Sequence, residues 1–260
     1  MPRNPVQFTS KRDLYEWLLL IAALALIGSI FLYVHEAEAD RADAAERDRL
    51  QVLTNFVAND IEGNLTSVNH VLEGVIQDYL SNSGVPESSH FLTLRLRALE
   101  GAIPGVRALL VLNTQGVVTH TSRAILENQN LNYRDYFKQV RDHPDKTTLY
   151  ISAPFQSLKQ GPDLVITASR MVQGQNGQFA GMVVAVLDQE YFYDPFRMLL
   201  YAPDVWAYVV HGDGLQVINF PSKKNSIDGT DLNRQGSFFR RHVESGKIAS
   251  MLSGRVYTTG

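Results

Sequence analysis

The chain has 260 residues, 45% of them hydrophobic and 20% charged, with a formal net charge of -3 and no cysteine. That balance suits one large globular domain or two smaller ones, and the weak negative charge offers no basic field to a phosphate backbone, so nucleic acid is not an expected partner. The missing cysteine removes disulfides, thiolate nucleophiles and cysteine-type zinc sites together.

Residues 17–34 (WLLLIAALALIGSIFLYV) run for 18 positions without a charge. A helix rising about 1.5 Å per residue nearly crosses a hydrocarbon core of roughly 30 Å over that length, so the segment predicts a transmembrane helix and a membrane as partner. A cleaved signal peptide has a shorter apolar core, of about 7 to 15 residues, and a small-x-small site that Ala37-Glu38-Ala39 fits poorly. Arg3, Lys11 and Arg12 precede the apolar run, whereas His35, Glu36, Glu38 and Asp40 follow it before Arg41, with Arg47 and Arg49 further on. The N-terminus is therefore expected in the cytoplasm of a bacterial cell, and residues after about 36 in the periplasm or outside the cell.

No proline occurs between residues 40 and 80, and Leu50, Leu53, Val57, Ile61, Leu65, Val68, Leu72, Val75 and Tyr79 follow one another in steps of three and four. This predicts a long stalk helix with one apolar stripe. The stripe either packs on its own domain or meets the same helix of a second copy as a homodimer, and periodicity does not separate the two. Gly84 and Pro86 break the helix, and Ser88 or Ser89 is expected to cap a short helix running to residue 100.

Beyond that point the texture becomes mixed. Strands are expected over 106–112 and 117–122 around the turn Asn113-Thr114-Gln115-Gly116, then a short helix over 134–141 and strands over 149–152, 164–172 and 179–187. The last two are joined through Asn176-Gly177, a hairpin signal, and a helix is expected over 189–200. Five antiparallel strands with helices on one side make an α+β, PAS-like layout. A weak repeat follows. Residues 106–111 (VRALLV) and their turn to Gly116 are echoed by 205–210 (VWAYVV) and a turn to Gly214, while Leu131-Asn132 with Phe137 is echoed by Leu232-Asn233 with Phe238. The two offsets are 205 − 106 = 99 and 232 − 131 = 101, so two copies of one module are expected.

The expected organisation is a cytoplasmic N-terminus (1–12), a transmembrane helix (13–36), the stalk helix (37–80), a membrane-distal module (81–200) and the start of a membrane-proximal module (201–260). By the repeat offset the second five-stranded module would end near residue 300, so it is expected to be cut short here, with any cytoplasmic output domain lying beyond the chain.

Enzyme motifs are missing: there is no Gly-x-Ser-x-Gly, His-Glu-x-x-His, P-loop or dinucleotide fingerprint, and the seven histidines show no metal-ligand spacing. No catalytic residue, metal or cofactor is expected. His211-Gly212-Asp213-Gly214, between two apolar runs, reads as a tight turn.

The strings LNYRDYFKQV, LYISAP, DLVITASRMV and QNGQFAGMVVAVLDQEYF, between Leu131 and Phe192, resemble the membrane-distal module of double Cache sensors. These are the PAS-like periplasmic domains of diguanylate cyclases, histidine kinases and chemoreceptors, and the resemblance covers roughly residues 50 to 260. It implies a transmembrane receptor's sensing region, with a diguanylate cyclase as the first expectation for the output and a histidine kinase or chemoreceptor as the alternative. A membrane-anchored dimerisation protein without a ligand is the reading of another class. The resemblance puts Arg134, Tyr136 and Phe137 beside the ligand pocket, with Tyr150 and Ser152 entering from the next strand, and matches Asp188 to the acidic residue that meets a ligand's ammonium group in amine- and amino-acid-binding relatives. A guanidinium forks onto a carboxylate while an aspartate takes a cation. This chain has Gln129 where such relatives usually carry tyrosine, and Tyr136-Phe137 where they carry Trp-Tyr, so amino acid, amine and carboxylate ligands all stay open. From the residues alone, Arg134 and Asp188 equally suit pairing with each other or with neighbours, and the aromatics suit core packing. Arg170 is a weaker candidate, because strand alternation places it opposite Thr167 and Ser169.

Overall fold

The computed structural model describes residues 11–81, 86–157, 164–188, 192, 196, 206–220, 232–252 and 254. The helix expected over 189–200 and the final residues 255–260 lie outside the described residues, Phe192 and Phe196 excepted. The chain divides into two units, Met1–Phe56 and Val57–Gly260.

The described part of the first unit is helical. It holds the early turns of α1 (Lys11–Ser81), a helix of 71 residues. An 18-residue window of α1 has a mean hydropathy of 2.5 with none of it buried, long and apolar enough to cross a membrane. Leu24, Phe31 and Tyr33 are all more than half exposed, so among the described residues no protein core covers this apolar surface.

In the second unit the apolar stripe is put to use: Val57, Val68, Leu72 and Val75 of α1 are buried. Next comes α2 (Pro86–Ala102), which starts earlier than expected. Proline suits a first helical turn, having no N–H to leave orphaned, so Ser88 and Ser89 lie inside the helix instead of capping it. An antiparallel sheet follows, built from β1 (Val106–Leu112), β2 (Val118–Thr121), β3 (Tyr150–Ile151), β4 (Phe155–Gln156), β5 (Leu164–Gln173) and β6 (Phe179–Asp188). Its order is β2-β1-β6-β5-β3, with β4 pairing further along β5, so five strand positions lie side by side. The strand expected over 149–152 is shorter and is resumed by β4 after Pro154, which has no N–H for the ladder. Helix α3 (Asp135–Asp142) covers one face through Tyr136, Phe137 and Val140. Ala108, Leu110 and Leu112 of β1, Met182 and Val184 of β6 and Met171 of β5 meet it there.

The repeated hairpin is present as β7 (Ala207–Val210) and β8 (Gln216–Phe220), followed by α4 (Phe238–Ser245). The likeness reaches single hydrogen bonds. The Gly116 N–H donates to the Asn113 carbonyl at 3.0 Å and the Leu131 N–H to the Gly116 carbonyl at 2.8 Å; Gly214 to His211 and Leu232 to Gly214 repeat them at 2.8 and 2.7 Å. Both glycines are left-handed, φ 78° and 88°. A Cβ at Gly116 would lie 2.7 Å from the Asn132 Cβ and 2.8 Å from its Cα and N, and one at Gly214 would lie 2.5 Å from the Asn233 Cβ. The spacing seen in the sequence thus has a cause: each turn glycine is the seat for the Leu-Asn pair. Gly116→Ala is expected to cost about 2 kcal/mol, from the strained φ and the backbone contact together. A urea midpoint unchanged from wild type would refute that seat.

Candidate ligand-binding site

Arg134 sits at the N-cap of α3 with extended backbone, and its side chain does not cap the helix. It lies instead over two aromatic rings, 4.9 Å from the Phe155 centroid and 5.2 Å from that of Tyr133. The Tyr136 ring stacks on Phe155 at 5.6 Å between centroids. These groups border a cavity of about 120 Å³ over the sheet face, floored by Ala108 and Leu110 of β1, Val165 of β5 and Val186 of β6, and walled by Ile125, Leu126 and Leu131. Burial pushes the Tyr136 phenol up to about 12, the Arg134 charge opposing and Tyr133 reinforcing the rise. The phenol therefore keeps its proton at neutral pH and stays a donor.

Three arginines line this cavity: Arg107, Arg123 and Arg134. Arg107 Nε donates to Asp188 Oδ2 at 2.7 Å, both side chains being about a quarter exposed. Arg123 is ion-paired with Glu100, and its Nε donates to the Arg107 carbonyl at 3.1 Å. Arg134 differs. Among the described residues, no carboxylate lies within ion-pair distance of its guanidinium.

Of the residues singled out from the sequence, Arg134 and Tyr136 border the cavity. Phe137 is 1% exposed and sits in the core, edge-on to Phe179 at 5.8 Å. Tyr150 is buried, and its hydroxyl donates to the His143 carbonyl. Ser152 is buried, accepts from the Thr167 N–H and donates to the Ala153 carbonyl, each at 2.9 Å. It lines a second, neighbouring cavity, which Arg134 and Tyr136 share with His211 and Asp213 of the β7–β8 turn. Asp188 pairs with Arg107 and not with Arg134.

The sequence reading missed Arg107 for a physical reason. Alternation puts a residue next to Ala108 on the opposite face, but the β1–β6 register shifts between Val106 and Ala108, and that irregularity turns Arg107 to Asp188. Thr167 and Ser169 were also passed over. Both are fully buried, on the β5 face that carries Val165 and Met171, and neither Oγ has a hydrogen-bond partner among the described residues. An ordered water or a polar ligand group would relieve them.

Arg170 faces the other way. Its Nη1 lies 2.7 Å from Asn69 Oδ1 and 3.0 Å from Glu73 Oε1 of α1, and its Nη2 donates to the Lys146 carbonyl. It ties α1 to the sheet and takes no part in the cavity.

Among solved structures, the extracellular domain of rpHK1S-Z16, a proposed histidine kinase, matches at TM-score 0.57 with 27% identity, covering 66% of this chain and 68% of that one. The ligand binding domain of the Pseudomonas aeruginosa PAO1 amino acid chemoreceptor PctB, in complex with L-Gln, matches at TM-score 0.55 with 17% identity, covering 72% of each chain. That of PctC, in complex with GABA, matches at 0.51 with 15% identity, covering 70% of this chain and 77% of that one. The last two share the fold. No family model matches the chain, and no curated protein does. The neighbours are extracellular or ligand-binding receptor domains and not catalytic ones, which bears out the α+β sensor fold and agrees with the double Cache resemblance drawn from the sequence.

Proposed function

We propose that the chain is the small-molecule-sensing input region of a membrane-anchored signalling receptor, with the ligand held over the sheet face between Arg134, Tyr136 and Phe155. The observation that carries this reading is that Arg134, half-buried at a cavity floored by apolar side chains, meets no carboxylate among the described residues: a partly buried arginine is costly unless something anionic meets it. The apolar first part of α1 supplies the anchor, and 81–200 and 201–260 are read as a distal module and the start of a proximal one. Ligand binding biases a pre-existing equilibrium in the receptor, and its free-energy difference between the two states sets the signal. For the output, the 27% likeness to the extracellular domain of a proposed histidine kinase favours that class over a diguanylate cyclase.

The test is a melting-temperature screen of the full chain against amino acids, amines and carboxylates. At least one class is expected to raise the wild-type melting temperature by several degrees through mass action, and Arg134→Gln to abolish the rise. No shift in the wild type across the panel sinks the sensor reading and leaves the non-sensing anchor.

A further inference from the structure

We infer that the ligand is a short apolar monocarboxylate without an ammonium group. This rests on the cavity at Arg134 being the sensing site and adds the chemistry of its occupant. Three observations point the same way.

The first is charge. Arg107, Arg123 and Arg134 line the cavity, and among the described residues Asp188 pairs with Arg107 and Glu100 with Arg123, while no carboxylate pairs with Arg134. One carboxylate meets that one cation, whereas the second carboxylate of a dianion would face arginines that already pair with Asp188 and Glu100, and a zwitterion would bring a fourth cation to the same wall.

The second is the fate of Asp188. A zwitterion's ammonium needs an acceptor, and Asp188, the carboxylate bonded to the cavity-lining Arg107, is held at 2.7 Å by that guanidinium. A ligand ammonium would have to displace that bond and would then meet the Arg107 charge as a like-charge neighbour. Arg107 thereby acts as a built-in stand-in for the ammonium.

The third is size and lining. The cavity measures about 120 Å³ and its floor is alanine, leucine and valine. An engineered apolar cavity of about 150 Å³ holds benzene, so the space here suits roughly five carbons. The carboxylate would lie at Arg134, with the protonated Tyr136 phenol as a second donor, and a branched aliphatic tail would face Ala108, Leu110 and Val186.

A matched set of probes isolates each group: 3-methylbutanoate, valine (the same skeleton with an ammonium) and 2-methylpropan-1-amine (valine without its carboxylate). Isothermal titration of the full chain in nanodiscs is expected to show 3-methylbutanoate binding at least about tenfold more tightly than valine, with no binding of the amine. Arg134→Gln is expected to weaken 3-methylbutanoate by about tenfold or more while circular dichroism stays native. Arg107→Gln, which takes that guanidinium away from Asp188, is expected to bring valine to within a fewfold of 3-methylbutanoate. Valine or succinate binding more tightly than 3-methylbutanoate in the wild type overturns the inference, as does undiminished 3-methylbutanoate binding in a folded Arg134→Gln. If no probe binds while another metabolite still gives an Arg134-dependent melting shift, this ligand class is wrong and the sensing site stands.

Discussion

Phe137→Ala is expected to be among the most destabilising single substitutions in this protein, costing about 3 to 5 kcal/mol and lowering the melting temperature by roughly 10 °C. Phe137 is 1% exposed, and its ring meets Phe179 edge-on at 5.8 Å between centroids. It lies in the helix of eight residues that roofs the sheet, between Tyr136 and Val140, so truncation leaves a void under the one element that also presents Arg134. Ligand affinity should fall with it, through loss of the roof and not of a ligand contact. A cost below about 1 kcal/mol would show that the ring is not part of the core and would reopen its reading as a pocket residue.

Arg170→Met is the second large effect, expected at about 2 to 3 kcal/mol with faster amide exchange over residues 65–79. Arg170 is 9% exposed and bonds Asn69, Glu73 and the Lys146 carbonyl, three groups from two parts of the chain. The loop carrying Lys146 is itself braced by Asp145, whose carboxyl accepts from Thr147 and Thr148 and is held down to about 2 by those bonds, Thr148 contributing most. Removing the guanidinium leaves the Asn69 oxygen and a backbone carbonyl to find water or stay unpaired. Glu73 is nearly half exposed, so the ion pair with it is the minor part of the cost and Glu73→Gln is expected to cost well under 1 kcal/mol. Exchange over 65–79 unchanged in Arg170→Met would show that the apolar burial of Val68, Leu72 and Val75 holds α1 without the arginine.

Together the two substitutions separate the faces of the sheet. Phe137 belongs to the side that holds the cavity, Arg170 to the side that packs against α1. The strand β5 carries Val165 to the cavity and Arg170 to α1 on the opposite face.

The local elements were legible in the sequence because each is written in short-range terms. An uncharged run of 18 residues, a stripe in threes and fours, alternation around Asn113-Gly116 and Asn176-Gly177, and a repeat offset near 100 all follow from helix pitch, strand pleat and glycine's access to positive φ. Arg134 and Tyr136 could be brought to one pocket by resemblance, since both sit within one short helical segment. What the tertiary structure alone decided is which charges meet. Asp188 finds Arg107, 81 residues away, only because an irregularity in β1 overrides the two-residue period, and Arg170 finds Asn69 and Glu73 across 101 and 97 positions. Phe137 and Tyr150 go to the core and the backbone because the packing of α3 on the sheet buries them. Periodicity assigns a side chain to a face, but the partner on that face is set by register and packing between distant segments, and no local rule carries that information.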